Sequence, residues 1–307
     1  MALRWHLLAL ADTASSEKNR PDSHFTPIVI VTPAVIALVL CAALLHASWN
    51  ALLKSGSDRL RAITLMTLAS GVAAIPMAIA LPLPAPAAWP YVALSAVLHV
   101  GYNVFLARAY RFGEFGQVYP IARGSSPLLV TMGAALFAGE MPGVIALAGV
   151  VLVSGGILSL ARGRKADLGS TLAALTTGVF IACYTVCDGI GARAAGNANA
   201  YSAWLFMLDS LPMVLLYRVW KGPLNIDLRD ATTLKTFGGG VVSLVAYGIV
   251  IWAVTLAPMG PVSALRETSV VFAALLGRLF LKESLTARRL SACSVIAFGA
   301  YCLGHPA

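Results

Sequence analysis

The sequence predicts an all-α integral membrane protein with ten transmembrane helices, arranged as two inverted repeats of five. Of the 307 residues, 59% are hydrophobic and only 11% are charged, with a mean hydropathy of +0.81, whereas soluble domains carry about 25% charged residues. The apolar residues form solid runs of about 18 or more, which is long enough to cross a bilayer. The chain also repeats itself about halfway along its length.

The first half follows a polar tail, residues 1–26, whose only apolar run is too short for a signal-peptide core. Its spans are bounded in turn by basic residues such as Lys54, Arg61, Arg108 and Arg162. The predicted spans of this half are residues 28–53, 62–82, 89–109, 117–138 and 142–161.

The second half has the same organisation, with basic residues between apolar runs at Arg193, Arg218, Lys235 and Lys282. The predicted spans are residues 168–192, 200–218, 236–257, 261–281 and 286–304. Proline and glycine inside several spans are acceptable, because neighbouring helices can satisfy the backbone groups that these residues free.

An internal repeat relates the two halves. The stretch "ARGSSPLLVTMGAALFAGEMPG" begins at Ala122, and "LRETSVVFAALLGRLFLKESLT" begins at Leu265. Laid together without gaps, they pair Arg123 with Arg266, Ser126 with Ser269, Leu136 with Leu279 and Glu140 with Glu283. A weaker match places "HASWN" at 46–50 against "YTVCD" at 184–188. The repeats are predicted to cover residues 27–162 and 168–304.

An odd number of spans in each repeat requires the second half to be inverted relative to the first. The connections after spans 1, 3, 5, 7 and 9 carry the basic residues, whereas the other connections carry almost none except Arg193. Corresponding connections of the two halves therefore differ in charge, as inversion requires. The positive-inside rule then places the basic connections in the cytoplasm and both termini outside. Inverted repeats of this kind are an architecture of secondary transporters.

These halves, with "HASWNALLK", "YPIARGSSPLLV", "GE" at 139–140 and "KES" at 282–284, resemble the EamA family of the drug/metabolite transporter superfamily. The resemblance implies secondary transport without ATP, usually export of amino acids or other small metabolites, across a bacterial cytoplasmic (inner) membrane. It implies a central cavity formed mainly by spans 1, 3, 4, 6, 8 and 9. It also implies cytoplasmic termini, opposite to the loop charges. Both orientations, and both a monomer and a homodimer, stay open.

Two arginines lie inside predicted spans, where an unpartnered charge is costly. Arg123 and Arg266 each lie about six residues in, or roughly 9 Å deep, from opposite faces of a core of about 30 Å. A separation of about 12 Å along the membrane normal is therefore expected. Since arginine binds carboxylate and phosphate oxygens in a fork, both are candidate substrate ligands. The alternatives are snorkelling, a structural or gating ion pair, pairing of Arg266 with Glu267, and capping by Arg123 of helix ends or of carbonyls that Pro120 and Pro127 leave open.

Further polar residues recur four positions apart and so share a helix face. His46 and Asn50 do so in span 1, and His99 and Asn103 in span 3, where Tyr102 lies alongside. These five residues are predicted to line a substrate cavity. The alternative is hydrogen bonding between helices, worth about 0.6 to 2 kcal/mol per contact.

Tyr184 and Asp188 repeat the spacing in span 6, and Tyr184 joins the candidate substrate ligands. Because a histidine can take up a proton near neutral pH, His46 and His99 are also candidates for coupling transport to protons. Asp188 and Asp209, acids inside apolar runs, are the other candidates.

The predicted function is secondary active transport of a small anionic or zwitterionic metabolite by alternating access through a central cavity. The expected direction is export. An amino acid, an organic acid and a phosphonate all fit. The alternative is a proton-coupled multidrug exporter for cationic compounds, although span 1 lacks the acid on which the small four-helix relatives depend. No HExxH, GxSxG or Walker motif occurs, so neither an enzyme nor an ATP-driven pump is expected.

The expected partners are the lipid bilayer, a small-molecule substrate and, for coupling, protons. Neither a cofactor nor a metal is predicted, since the five cysteines form no CxxC pair and no histidine cluster accompanies them. The net charge of +9 does not indicate nucleic-acid binding, because the basic residues lie between apolar runs, in the pattern of membrane-flanking loops.

Overall fold

The computed structural model describes residues 31–53, 58–112, 115–161, 168–281 and 285–305. Every regular element within these ranges is a helix. The predicted polar tail, residues 1–26, and the Glu283 that the repeat pairs with Glu140 lie outside the described residues.

Eleven α-helices form the described part of the chain, with one short 3-10 helix, Pro86–Ala88, before the third. The first half contains α1 (Pro33–Leu53), α2 (Arg59–Ala80), α3 (Trp89–Phe112), α4 (Phe115–Ala138) and α5 (Val144–Ser159). The second half contains α6 (Leu168–Ala194), α7 (Ala198–Lys221), α8 (Ala231–Leu256), α9 (Met259–Glu267), α10 (Ser269–Leu281) and α11 (Ala287–Leu303).

Eight segments of the described chain are long and apolar enough to cross a membrane, with α9 and α10 counted together as one. Helices α5 and α11 have only 16 and 17 residues. At 1.5 Å per residue they extend about 24 to 26 Å, short of a core of about 30 Å. The multi-pass helical fold is therefore confirmed, and the count of ten spans stays a prediction that depends on α5 and α11.

Several helices begin at the capping side chains that their sequences supply. Asp58 accepts a hydrogen bond from Arg61 N at the start of α2, and Asn197 accepts from Asn199 N and Ala200 N at the start of α7. Such caps satisfy backbone donors that have no partner within the helix. The turns between apolar runs are thus fixed by polar residues at their edges.

The helices pack in pairs that are related by exchanging the two halves of the chain. The contact of α3 with α6 matches that of α8 with α1, and the contacts of α2 with α7 and of α5 with α11 map onto themselves. The side chain of Glu140, just after α4, accepts a hydrogen bond from the first backbone N–H of α9, at Met259 (2.7 Å). Since α4 ends where α9 begins, these corresponding segments run in opposite directions, as inverted repeats require.

Helices α5 and α11 approach closely through glycine. A Cβ atom on Gly149 would lie 2.8 Å from Gly299 O, and a Cβ on Gly299 would lie 3.0 Å from Gly149 O. Small residues let helix backbones meet in membranes, where packing rather than the hydrophobic effect holds helices together. The last helices of the two repeats therefore pack with their backbones in direct contact.

We expect Gly149→Ala to destabilise the protein by about 1 to 3 kcal/mol, because the new methyl group would press against Gly299 O. The matched control is Gly155→Ala on the same helix, since a Cβ at Gly155 meets no atom within 4 Å. That change should be neutral or stabilising by up to about 1 kcal/mol. Thermal unfolding in detergent measures both, and equal melting temperatures for the two variants would contradict the close crossing.

Candidate functional site

A cavity of about 660 Å³ lies in the middle of the helix bundle. Every residue that the sequence predicted to bind substrate lines it: His46, Asn50, His99, Tyr102, Asn103, Arg123, Tyr184 and Arg266. Of the predicted proton-coupling residues, His46, His99 and Asp209 line it, and Asp188 lies behind its wall. Their placement is established by this geometry, whereas their roles in transport stay predictions.

The cavity extends toward one end of the bundle. Its lining includes Asn50 near the end of α1, Arg59 at the start of α2 and Phe280 near the end of α10. These helix ends belong to the connections that carry most of the basic residues. The mouth of the cavity is therefore on the side that the loop charges mark.

Arg123, on α4, is buried in the cavity wall with 4% of its surface exposed. Its Nε atom lies 2.7 Å from Oε2 of Glu267, whose side chain is fully buried. This is an ion-pair distance, but the geometry gives neither atom a hydrogen bond within the described residues. Arg123 Nη2 also donates to Nε2 of His46 at 2.7 Å. Since arginine has no acceptor, that ring nitrogen of His46 carries no proton in this arrangement.

Arg266, on α9, shares the same acid. Its Nε and Nη2 atoms donate to Glu267 Oε1 at 3.3 and 3.2 Å, and its guanidinium lies 5.9 Å from the centre of the Tyr247 ring. Both arginines therefore converge on one carboxylate. The sequence placed their helix positions about 12 Å apart along the membrane normal. Their long side chains extend toward each other and meet at Glu267.

Local irregularities in the helices accompany this convergence. Pro127 has no N–H to donate to the carbonyl of Arg123 four residues earlier, and the Ser126 hydroxyl donates to that carbonyl instead, at 3.1 Å. In the second half, α9 ends at Glu267, and the Thr268 hydroxyl donates to Leu265 O at 2.7 Å. Helix α4 continues through its prolines, whereas the second half is broken at the corresponding position, and broken helices of this kind are typical of transporter binding sites.

Aromatic rings form a further part of the cavity wall. The His99 ring stacks on Tyr184 with centroids 4.1 Å apart, and Tyr102 and Tyr247 meet Tyr184 edge to face at 5.7 and 5.8 Å. His99 Nδ1 lies 2.9 Å from Ser95 O and 3.2 Å from Ser95 Oγ. The rings offer apolar faces to the cavity beside the two charged arginines.

The two buried acids differ in their surroundings. Asp188 accepts hydrogen bonds from the hydroxyl groups of Tyr201 (2.9 Å) and Tyr247 (2.6 Å). Asp209 lines the cavity, and its Oδ1 has no hydrogen-bond partner within the described residues. Neither acid forms an ion pair with either cavity arginine there. Asp209 is thus the acid that a bound molecule could reach.

The end of the bundle opposite the mouth is closed by polar contacts between connections. The backbone N–H of Ala85 donates to Ala195 O at 3.1 Å. Arg193 pairs with Glu140 and donates to the carbonyls of Val254 (2.6 Å) and Ala257 (3.2 Å). These contacts tie together all the connections at that end. Glu140 therefore fixes a helix junction and is not among the cavity residues, as its position at a span end indicated.

Sequence reasoning missed two residues of the site. Glu267 entered only as a partner for Arg266, although it is the sole acid in span 9 and faces Arg123 as well. Tyr247, which joins Asp188 to the aromatic wall, carries no sequence signal, because a single tyrosine in an apolar span is as typical of packing as of binding. Only the fold brings it to the cavity.

Comparison with known proteins gives a family and a fold. A family model described as "EamA-like transporter family" matches residues 33–162 and again residues 168–304. No curated protein matched the sequence. A solved structure titled "Crystal structure of protein" is 20% identical, with a TM-score of 0.73 over 88% of this chain and 98% of its own. At this identity, the likeness shows the fold alone.

Proposed function

Because the chain belongs to the EamA-like transporter family, within the drug/metabolite transporter superfamily, we propose that it is a secondary active transporter of a small anionic or zwitterionic metabolite. Proteins of this family are membrane transporters rather than enzymes. The proposed direction is export across a bacterial inner membrane, by alternating access to the central cavity.

One observation carries the substrate class: two buried arginines share a single carboxylate in the cavity wall. Arg123 and Arg266 are 4% and 3% exposed, and Glu267 balances only one of their charges. Since an uncompensated buried charge is costly, a ligand oxyanion beside these two guanidinium groups would be bound firmly.

The remaining lining supports a substrate of metabolite size. A cavity of about 660 Å³ falls in the range of pockets for small molecules, roughly 300 to 1,000 Å³. The rings of Tyr102, Tyr184 and Tyr247 offer an apolar surface to its hydrocarbon part. An ammonium group on a zwitterion would find a counter-charge at Asp209.

Alternating access requires that the mouth close and the opposite end open. The contacts that close the opposite end, made by Arg193, Glu140, Ala85 and Ala195, would then break. New contacts between the helix ends around the mouth would form in their place. If the basic connections face the cytoplasm, as the positive-inside rule indicates, the present conformation receives substrate from the cytoplasm, which agrees with export.

The test is a ligand screen by thermal stabilisation of the purified protein. The panel holds amino acids, carboxylates, phosphonates, sugar phosphates and cationic dyes. A ligand at 100 times its Kd should add about 2.7 kcal/mol of stability. We expect stabilisation by anionic or zwitterionic compounds, and stabilisation by cationic dyes alone would contradict the proposal.

A cation exporter is the second candidate, and the unpartnered Oδ1 of Asp209 favours it. A buried carboxylate in a cavity attracts a cation or a proton. The two arginines of the same cavity oppose this, because like charges repel at short range.

Substitution of Asp209 separates the two candidates. For a zwitterionic ligand, we expect Asp209→Asn to weaken binding about 10- to 100-fold, the effect of losing a hydrogen bond to a charged group, and to change binding of simple carboxylates less than about threefold. Titration by thermal shift measures both. Asp227→Asn, in the exposed turn before α8, is the control. Loss of all cationic-dye binding in Asp209→Asn, with carboxylates never bound, would support the cation exporter.

Proton coupling stays a proposal for His46, His99, Asp188 and Asp209. For His46, protonation of Nε2 would break its bond from Arg123, because both groups would then be donors. Proton uptake at His46 would in this way free the arginine for a substrate.

A further inference from the structure

Glu267 has no counterpart in the first half of the chain. In the alignment of the repeats, Arg123 matches Arg266, and Gly124 stands where the second half has Glu267. A Cβ at Gly124 would lie 2.8 Å from Leu158 Cγ, so that position has no room for a side chain without movement. The two arginines are therefore a symmetric pair with one asymmetric acid between them.

The net charge of the cluster formed by Arg123, Arg266 and Glu267 follows from the charges of these three side chains. Arg123 and Arg266 are each positive, Glu267 is negative, and all three are at least 95% buried. The described contacts of Glu267 with both arginines leave the cluster with one net positive charge. In a buried setting an uncompensated charge is unfavourable, so the cluster favours one additional negative charge.

We propose that Glu267 is the residue that determines the charge of the substrate group, limiting the arginine pair to a single negative charge. The inference rests on the proposed function, namely that an anionic group binds at this cluster. A monoanion brings the cluster to neutrality. A dianion would bring one negative charge more than neutrality requires and place that charge near the Glu267 carboxylate, where like charges repel.

The contact geometry supports a determinant of this kind rather than a simple structural pair. Oε2 of Glu267 has no hydrogen bond within the described residues, although Arg123 Nε is only 2.7 Å away. Each carboxylate oxygen of Glu267 faces a different arginine, Oε1 facing Arg266 and Oε2 facing Arg123, so one carboxylate sets the charge of the whole cluster.

Changing the charge of the cluster stepwise provides the test. Wild type carries one net positive charge at these three residues, Glu267→Gln carries two, and Arg266→Gln carries none. The double variant Arg266→Gln with Glu267→Gln returns to one. Asp209 and Arg59 also line the cavity, and their charges are the same in every variant.

Pairs of ligands that differ in charge measure whether each variant prefers a monoanion or a dianion. Succinamate and succinate differ by one charge at nearly equal shape, and dimethyl phosphate and methyl phosphate differ by one charge and one methyl group, so that carboxylate and phosphate sources are both covered. Apparent Kd values come from thermal-shift titration at pH 7.5. We expect wild type to prefer the monoanion of at least one pair by tenfold or more, and Glu267→Gln to prefer the dianion of that pair.

The double variant keeps the test decisive if Glu267→Gln fails to fold. Arg266→Gln should bind both members of a pair at least tenfold more weakly than wild type, and adding Glu267→Gln should restore monoanion binding. If Glu267 were only a structural partner of the arginines, adding Glu267→Gln to Arg266→Gln would not restore binding. An unchanged ranking in Glu267→Gln, or no rescue in the double variant, would overturn the inference while leaving anion transport in place. If no anion binds wild type, the proposed function itself fails.

Discussion

Arg123→Gln is expected to weaken binding of the anionic or zwitterionic ligand about 10- to 100-fold, because a hydrogen bond to a charged group contributes about 1.5 to 3 kcal/mol. Glutamine keeps part of the volume and a donor but loses the charge and the guanidinium fork. Transport in proteoliposomes at ligand concentrations below Kd should fall by the same factor. Thermal-shift titration and uptake of the same ligand measure the two effects.

The variant also changes the empty protein. Without Arg123, Glu267 keeps Arg266 as its ion-pair partner among the residues that the structure describes, and His46 Nε2 loses its donor. The remaining pair is neutral, so the fold should survive with a modest change in stability. Arg218→Gln, at an exposed position in the last turn of α7, is the matched control and should bind as wild type does. Equal loss in both variants, or in neither, would show that Arg123 does not contact the ligand.

A disulfide across the closed end should stop transport completely. Ala85 N and Ala195 O are 3.1 Å apart, so the two Cα atoms are at most about 7 Å apart, near the upper limit for a disulfide. Oxidised Ala85→Cys/Ala195→Cys should bind ligand normally through the open mouth, because the cavity is reached from the other end. Transport should fall to background, since the closed end can no longer open.

The controls for the crosslink use the same substitutions. The exposed Cys41 and Cys183 are first replaced by serine to prevent unwanted disulfides. Each single-cysteine variant should transport normally with or without oxidant, and reductant should restore transport in the double variant. Normal transport by the crosslinked protein would mean that this end stays closed throughout the cycle, which excludes the proposed alternating access.

Much of the fold follows from the sequence because the membrane simplifies the problem. Solid apolar runs identify spans by length alone, and the gap-free match of Arg123 with Arg266 exposes the repeat. The short helices α5 and α11 are the exception. The predicted spans 142–161 and 286–304 exceed these helices by one or two residues at each end, because Gly143 and Thr286 stand at the N-cap positions outside the helices and hydropathy does not register a cap.

The site was predicted less completely, for reasons that individual residues make clear. Helical spacing placed His46 and Asn50 on one face, and the cavity indeed lies there. The pairing of both Arg123 and Arg266 with Glu267 depends on the reach of long side chains across two helices and on the end of α9 at Glu267, with Thr268 as its C-cap. Neither spacing nor composition encodes these two features.

A structure of the protein with a stabilising ligand would test the central claim most directly. We predict the ligand in the cavity, with its oxyanion within hydrogen-bond distance of the Arg123 guanidinium and its apolar part against Tyr184. A ligand bound elsewhere, or in the cavity with its charged group away from both Arg123 and Arg266, would contradict it.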